Sequence, residues 1–424
     1  MWNKIQQVWG VKEIRNKILF VIGLLVIYRL IAHIPIPGVN VQNLRASLEG
    51  NQLLGLMNLF SGGSIQNFSI IMLGVGPYIT ASIILQLLTM IVPRLEEMSK
   101  EGESGQHKIN MYTRWLTVPL AFLQSFAMIQ FLNRTGNILV NLTPLKLVVI
   151  MLTVTAGTMF LMWIGELISE QKVGNGVSLL IFAGIVASMP GLLRNAFINY
   201  DPSDLGMFII FGVVALITVV GVVFINEGQR NIPVHYAKQV HGNKSYGGNS
   251  THLPLRVNMA GVIPIIFAVS LVTLPVVVSQ FFVQAKSAWL SHAAQFTINL
   301  FQNNHIFYNV LYFILIFGFT YFYTAVIFHP QKVAENLQKQ GGFIPGIRPG
   351  AETEKYLSQT TNKINLIGAL FLGIIAVLPF IVQGASGSQN LKIGGTSLLI
   401  VVAVAIETAK QIDAQITMHE YDRV

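Results

Sequence analysis

Ten apolar runs divide the sequence, and their length constrains what this chain of 424 residues can fold into. A helix that crosses a lipid bilayer needs about 20 predominantly apolar residues, with a range of about 17 to 25. Because backbone groups in lipid must satisfy one another, such runs predict an all-α membrane protein. The ten predicted spans are 18–34, 68–92, 115–132, 147–167, 176–190, 205–225, 257–279, 306–328, 364–382 and 394–411.

The composition agrees with this fold class and excludes others. Hydrophobic residues make up 53% of the chain and charged residues only 11%, whereas soluble domains carry about 25% charged residues. An ordinary soluble enzyme and a disordered chain are therefore both excluded. The sequence has no cysteine, and it has no P-loop, HExxH pattern or nucleophile elbow. We therefore expect no enzymatic activity, no cofactor and no metal site.

The basic residues predict the orientation of the spans. Cytoplasmic loops of membrane proteins carry an excess of Lys and Arg. With the N-terminus placed in the cytoplasm, 20 of the 27 Lys and Arg residues fall in inside segments and 6 fall outside. The remaining one, Arg29, lies near the outer end of the first span. We therefore predict that both termini are cytoplasmic.

Charge is almost absent from the middle of the predicted membrane. No Asp, Glu, Lys or His lies at the centre of any run, although ion pumps and proton-coupled transporters usually place one there. Glu166 and Glu407 lie toward the cytoplasmic ends of their spans, and Arg29 lies near an outer end. Snorkelling or helix capping accounts for all three. The sequence thus predicts a protein that is passive, without an ion or proton path of its own through the membrane.

A short sequence pattern recurs in two spans. The second span contains Gly-Val-Gly-Pro-Tyr-Ile at 74–79, and the seventh contains Gly-Val-Ile-Pro-Ile-Ile at 261–266. Proline within a helix removes a backbone donor and tends to bend the helix, so Pro77 and Pro264 predict kinks. If the ten spans form two halves of five, both prolines lie in the second span of a half. An odd number of spans per half makes the two halves inverted repeats.

The predicted organisation follows from this division. Residues 1–17 form an amphipathic cytoplasmic segment, 18–190 the first half, 191–204 an external hinge loop, 205–412 the second half and 413–424 a cytoplasmic tail. A half-apolar segment at 53–66, between the first two spans, is too short and polar to cross a membrane. It is either an external loop with an interfacial helix or a re-entrant segment protected inside the protein.

Two predicted cytoplasmic loops, 226–256 and 329–363, are long for simple connections. Their tips, at 230–238 and 341–350, contain proline or glycine and place Arg230 and Arg348 among apolar residues. A guanidinium in such a setting is suited to docking on acidic protein or phosphate. The alternative is that these cations only set the topology.

Several longer stretches resemble the SecY family, the large subunit of the bacterial-type protein-conducting channel. The matching stretches are 77–93, 100–117, 230–238, 253–267, 341–350 and 394–400. The resemblance implies two inverted five-helix halves around a central hourglass pore, with a short external plug helix at 53–66. It also implies a lateral gate between the second and third spans on one side and the seventh and eighth on the other.

The resemblance also assigns the site residues. Four ring residues, at 79, 181, 266 and 400, lie within two residues of a predicted span midpoint, about 3 Å along a helix. Such a ring offers ions no ligand, dewets when narrow and can deform around a polypeptide. The pore ring comprises Ile79, Ile83, Val177, Ile181, Ile266 and Ile400; the plug comprises Met57, Asn58, Leu59, Phe60, Ser61, Gly62, Gly63 and Ser64; the docking residues are Arg230, Lys238, Lys244, Lys339 and Arg348.

The function that the resemblance implies is a passive protein-conducting channel in the bacterial plasma membrane. It would thread unfolded secretory polypeptides across the membrane and release hydrophobic segments laterally into lipid. The expected partners are SecE-type and SecG-type small subunits, the SecA ATPase and the ribosome. Gln229, Asn231 and Gln239 stand where the family is usually richer in arginine, so docking contacts are expected to differ here. The alternative function is a secondary transporter of an apolar solute.

Overall fold

The computed structural model describes residues 9–37, 44, 58, 61–136, 143–198, 205–236, 239–241, 244–246, 250–283, 287–303, 305–386 and 395–421. The predicted plug residues Met57, Leu59 and Phe60 and the docking residue Lys238 lie outside these ranges. Parts of the predicted N-terminal segment, hinge loop and C-terminal tail also lie outside them.

Helices form most of the described chain, and each of the ten predicted runs overlaps one of them. Three shorter helices, α3, α9 and α11, were not predicted. The helices are α1 (Lys12–Ile31), α2 (Gly76–Ile91), α3 (Pro93–Lys100), α4 (Glu103–Gly136), α5 (Pro144–Glu170), α6 (Gly176–Ile198), α7 (Leu205–Glu227), α8 (Ile263–Phe282), α9 (Ala288–Asn303), α10 (His305–Ile327), α11 (Pro330–Lys339), α12 (Ala351–Ser386) and α13 (Gly395–Tyr421).

Five helical segments of the described residues are long and apolar enough to cross a membrane. They are Glu103–Asn133, Pro144–Glu170, Ile263–Phe282, Ile306–Lys339 and Ala351–Leu378. The α2–α3 pair would be a sixth if it were one span, but it bends by 101°. Pro93 begins α3 at this bend, and a proline disfavours helical backbone in the residue before it. The apolar parts of α6 and α7 are shorter, at Gly176–Gly191 and Gly212–Glu227.

One apolar core joins the two halves of the chain. Leu24, Ile79 and Leu161 from the first half belong to the same buried cluster as Tyr312 and Leu372 from the second. A single contiguous core is what holds one packed body together, because the transfer of apolar groups into it stabilises all the helices that contribute. The two halves therefore meet through their apolar faces.

The long loops contain β-strands, which the prediction of an all-α chain missed. Strands β1 (Gln229–Tyr236), β4 (Ser250–Arg256) and β5 (Gly342–Phe343) form an antiparallel sheet in the order β4-β1-β5. Strands β2 (Gln239–His241) and β3 (Lys244–Tyr246) pair separately. Strand β5 lies in the second loop, and its residue Phe343 pairs with His235 of the first loop. The two loops therefore form one folded unit, which we call the loop module (226–256 and 329–363).

Candidate pore and plug

The helices α2 and α8 begin with the same backbone conformation. Gly74 and Gly261 have positive φ angles of 57° and 63°. Val75 and Val262, which follow them, have φ and ψ of −91° and 4° and of −93° and −8°. A side chain at positive φ costs about 1–2 kcal/mol, which explains glycine at both turns. The recurring sequence pattern is therefore also a recurring backbone structure.

Pro77 and Pro264 do not kink their helices, so that prediction was wrong. Each lies in the first turn, at the start of α2 or α8. An N–H group in the first turn has no partner within the helix, and the fixed φ of proline suits this position. The prolines therefore help to begin the helices. As a result, α2 and α8 begin well inside the runs predicted as whole spans.

Four predicted ring residues occupy matching positions in the two halves. Ile79 and Ile266 lie three residues into α2 and α8, and Ile181 and Ile400 lie five residues into α6 and α13. These helices correspond to the second and fifth predicted spans of each half. Equivalent residues thus occupy the first two turns of equivalent helices.

The predicted ring residues come together in the apolar core. Ile79, Ile83, Ile181 and Ile266 are between 1% and 7% exposed, and Ile400 is fully buried. All five belong to the cluster that joins the two halves. The sixth, Val177, is half-buried and packs against the same cluster. No polar group comes from these six side chains, so the ring provides no ligand for an ion.

A cavity lies where three of these isoleucines approach the described part of the plug. Ile79, Ile181 and Ile266 line it, together with Ser61 and Ile65. Its volume of about 70 Å³ has room for only a few water molecules. The predicted ring residues and the described part of the predicted plug segment therefore leave only a small space between them.

The described part of the predicted plug is buried and folds back on itself. Ser61 and Ser64 are 4% and 0% exposed. The hydroxyl of Ser64 donates to the carbonyl of Ser61 at 2.6 Å, and the N–H of Gly63 donates to the carbonyl of Asn58 at 2.8 Å. Burial of this kind favours the protected segment over the exposed loop, since its polar groups are satisfied within the protein.

Helices of the third and seventh predicted spans are in direct contact. The rings of Phe126 in α4 and Phe281 in α8 stack with centroids 5.3 Å apart. A second cavity between these helices is lined by Gln124, Met128 and Gln280, among others. This seam joins the third and seventh predicted spans, which face each other across the predicted lateral gate.

The exposed predicted docking residues belong to the loop module. Arg230 lies in β1, Lys339 ends α11 and Arg348 follows β5, and all three side chains are exposed. Lys244 lies in β3. The hydroxyl of Thr353 donates to the carbonyl of Arg348 at 3.0 Å and so ties the backbone of this turn to α12. Arg230 and Arg348 therefore project from one folded unit.

The core of the loop module explains why the strands form. Ile232 and Val234 alternate with exposed residues along β1, and their side chains pack with Leu255, Leu337 and Ile344. Alternation of this kind is the strand pattern. The sequence shows this alternation at 231–235, whereas the proline and glycine content of the loops favours turns.

Two polar contacts at the helix ends were also missed. Glu166 receives a hydrogen bond from Arg114 at 2.6 Å and forms an ion pair with it. The side-chain amide of Asn258 donates to Asn226 at 2.8 Å and to the carbonyl of Gly261 at 3.2 Å. The first contact joins α4 to α5, and the second joins the segment before α8 to α7. Within the described residues, no group of three or more His, Cys, Asp or Glu side chains could hold a metal ion.

Comparison with known proteins identifies the family. The SecY family profile matches residues 69–409. The chain is 46% identical over 427 residues to a protein translocase subunit SecY of Streptomyces galbus, covering 97% of this chain and 96% of that protein. The chain belongs to the SecY family. The 46% identity spans both halves and the loop module, so the SecY-family resemblance is not confined to the motifs.

Solved structures share the fold of this SecY-family chain. A structure described as that of a protein conducting channel has a TM-score of 0.66 at 18% identity, covering 93% of this chain and 91% of that one. A SecY structure concerned with the plug domain has a TM-score of 0.64 at 19% identity, covering 92% and 89%. Sec61 in the canine ribosome–channel complex has a TM-score of 0.62 at 18% identity, covering 93% and 91%.

Proposed function

We propose that this chain forms the protein-conducting channel of a bacterial protein translocase. It guides unfolded secretory polypeptides across the plasma membrane and releases hydrophobic segments sideways into lipid. The observation that carries the proposal is the meeting of Ile79 and Ile181 from the first half with Ile266 from the second at one small cavity. Membership of the SecY family, whose relative is named a protein translocase subunit, supports it.

The six aliphatic ring residues form the constriction of an hourglass pore. Their side chains are apolar and mostly β-branched, so a narrow ring excludes water and ions. An aliphatic ring can also deform around a passing chain of any sequence, because it forms no specific polar contacts. Neither the comparisons nor the chemistry of the ring favours a secondary transporter of an apolar solute, which needs a site of defined shape.

The plug at 53–66 closes the external side of the ring, and the seam between α4 and α8 is part of the lateral gate. Ser61 and Ile65 line the ring cavity, which supports a plug that must move before a chain can enter. The stacked Phe126 and Phe281 support a gate held by apolar contacts. A hydrophobic segment can replace such contacts at little cost in free energy.

The chain crosses the membrane ten times, with both termini in the cytoplasm. The ten apolar runs and the excess of basic residues in the predicted inside segments support this topology. The short α2 and the bend after it are compatible with a span that begins at the ring and continues toward the cytoplasm. The loop module then lies on the cytoplasmic face.

The loop module receives the partner that supplies energy. Its exposed Arg230, Lys339 and Arg348 suit an acidic protein surface or the phosphates of ribosomal RNA. We therefore propose docking of the SecA ATPase and of the ribosome on this module. SecE-type and SecG-type subunits complete the complex in the membrane.

The channel is tested by reconstitution of the chain with these small subunits in vesicles. On addition of SecA, ATP and an unfolded secretory precursor, the precursor becomes protected from external protease. Protection that needs ATP, SecA and the chain supports the proposal. A precursor that stays fully digestible, in vesicles whose complex is assembled and correctly oriented, contradicts it.

Docking is tested by Arg348→Glu, which reverses the charge of an exposed side chain. We expect loss of most SecA-driven protection, while the complex still assembles. Lys332→Glu is the matched control, because it makes the same charge change at another exposed position of the loop module. Equal transport by the two variants removes Arg348 from the docking site.

A further inference from the structure

Arg29 lies within the first predicted span rather than in a loop. It lies in the last turn of α1, and its Nη1 donates to the carbonyl oxygen of Gly62 at 2.5 Å. A guanidinium is always charged and has five donors, so this is a charge-assisted hydrogen bond. Snorkelling toward water does not describe it, because the partner is the backbone of the plug segment.

Two further contacts hold the same part of the plug segment, one at Ser61 and one at Gly62. The hydroxyl of Tyr28 lies 3.3 Å from the carbonyl oxygen of Ser61, to which it donates, and Tyr28 is 3% exposed. The backbone of Gly62 also meets the backbone of Gly184 in α6, close to the hydroxyl of Tyr28. A Cβ on Gly184 would lie 2.7 Å from the Cα of Gly62, closer than real Cβ atoms approach.

These contacts connect to the ring through Ser61. Ser61 lines the cavity formed by Ile79, Ile181 and Ile266. The plug segment cannot leave that cavity while Gly62 stays bound between α1 and α6. An opening movement must therefore break the hydrogen bond to Arg29 and separate Gly62 from Gly184.

We propose that Arg29, supported by Tyr28 and by the close contact of Gly184, is a latch that holds the plug closed. The latch rests on the plug role given under the proposed function. Arg29 acts as a positioning residue, since it binds the plug segment and does not line the ring cavity. A polypeptide that enters the channel has to break this bond before the ring can widen.

The natural absence of cysteine from the chain allows a direct measurement of plug release. Ser64→Cys places one thiol at a fully buried plug position. In the purified complex in nanodiscs, a water-soluble maleimide labels this thiol only when the plug segment leaves its site. We expect Arg29→Ala to raise the labelling rate by about tenfold, the size expected for loss of a hydrogen bond to a charged group. Arg29→Lys keeps a cation and should label more slowly than Arg29→Ala.

Two matched controls separate the latch from general loosening of the protein. Leu30→Ala changes the neighbouring residue, which is 66% exposed, and should leave the labelling rate unchanged. Gly184→Ala should raise the rate, because the added methyl group displaces Gly62. Gly191→Ala, in the same helix but with open space around its Cβ, should not.

The latch is overturned if Arg29→Ala and Leu30→Ala label Ser64→Cys at the same rate in complexes with equal thermal unfolding midpoints. If Arg29→Ala is too unstable to purify, the comparison of Gly184→Ala with Gly191→Ala decides in the same way. Ion leak through vesicles is measured in parallel. Faster labelling together with leak supports both latch and channel, whereas faster labelling without leak supports the latch and contradicts the plug role in the proposed function.

Discussion

The segments that lead into α2 and α8 end in the same glycine, valine and proline pattern, yet different contacts hold them. Before α2, backbone bonds tie the chain to the residues after α1: the N–H of Ile36 donates to Phe68 at 3.0 Å, and the N–H of Ile70 donates to Ile34 at 3.3 Å. The plug residues farther upstream depend on Arg29 and on the Gly62–Gly184 contact. This approach therefore has a part held by backbone hydrogen bonds and, farther upstream, a part held by contacts with α1 and α6.

Before α8, the chain comes directly from the loop module and is fixed at once. The N–H of Val257 donates to Gly228 at 2.9 Å, and Asn258 bonds both Asn226 and Gly261. Only a few residues separate β4 from the start of α8. The same helix start therefore follows the predicted plug segment in one half and a short joint to the loop module in the other, and the side chains that neighbour the two segments differ.

The ring residues of the two halves should be equivalent. Changing them should have the largest effect on ion leak. Ile79→Asn and Ile266→Asn each place a polar amide at the shared cavity, which favours water in the ring. We expect each to raise ion leak through vesicles by roughly tenfold, and the double variant to leak more. Val278→Asn, in the same α8 but 44% exposed, serves as the control. Leak from only one of the two variants would break the equivalence of the halves.

The glycine turns should separate the two approaches. Gly74→Ala and Gly261→Ala each force a side chain into positive φ, so each should lower the free energy of unfolding by about 1–2 kcal/mol. Gly74→Ala should also increase ion leak, because it strains the chain between the plug and α2. Gly261→Ala should not, because the joint before α8 does not close the ring.

The thermal unfolding midpoint and the ion leak rate are measured for both variants. Gly191→Ala is the control, because its added methyl group lies on helical backbone with open space around it. If both variants lose similar stability but only Gly74→Ala leaks, then the segment before α2 controls closure and the joint before α8 does not. Leak of equal size in both variants would remove this distinction.

The joint itself should give the smallest effect. Asn258→Ala removes two hydrogen bonds of a 7% exposed side chain, and we expect a loss of about 1 kcal/mol in the free energy of unfolding. Asn231→Ala, on the exposed side of β1, should change stability by less than about 0.5 kcal/mol. Increased ion leak in Asn258→Ala would show that the joint, too, controls closure.

Local patterns predicted much of this fold. Each apolar run overlaps a helix, because run length and hydropathy are properties of neighbouring residues and do not depend on distant contacts. The recurring 74–79 and 261–266 patterns predicted an equivalence that their backbone angles reproduce. The ring isoleucines came from the family resemblance, since apolar residues at span centres are otherwise indistinguishable from those that face lipid.

Other features depended on residues far apart in the chain. The sheet pairs residue 235 with residue 343, and no local signal indicates which loop supplies the third strand. The runs 68–92 and 257–279 are continuous in hydropathy, so the sequence predicts that their prolines lie inside spans, although the first residues of both runs are not helical. The partner of Arg29 lies 33 residues away in sequence, so snorkelling was the simpler explanation.

The sequence by itself determined the membrane class, the helical runs, the repeated helix start and the uncharged centre of the membrane, because each follows from residue type and spacing along a short stretch. Only the tertiary structure decided that the two long loops are one module, that three isoleucines meet at one small cavity and that Arg29 bonds to the predicted plug segment. These are contacts between segments distant in sequence, and their energy exists only once the chain has packed.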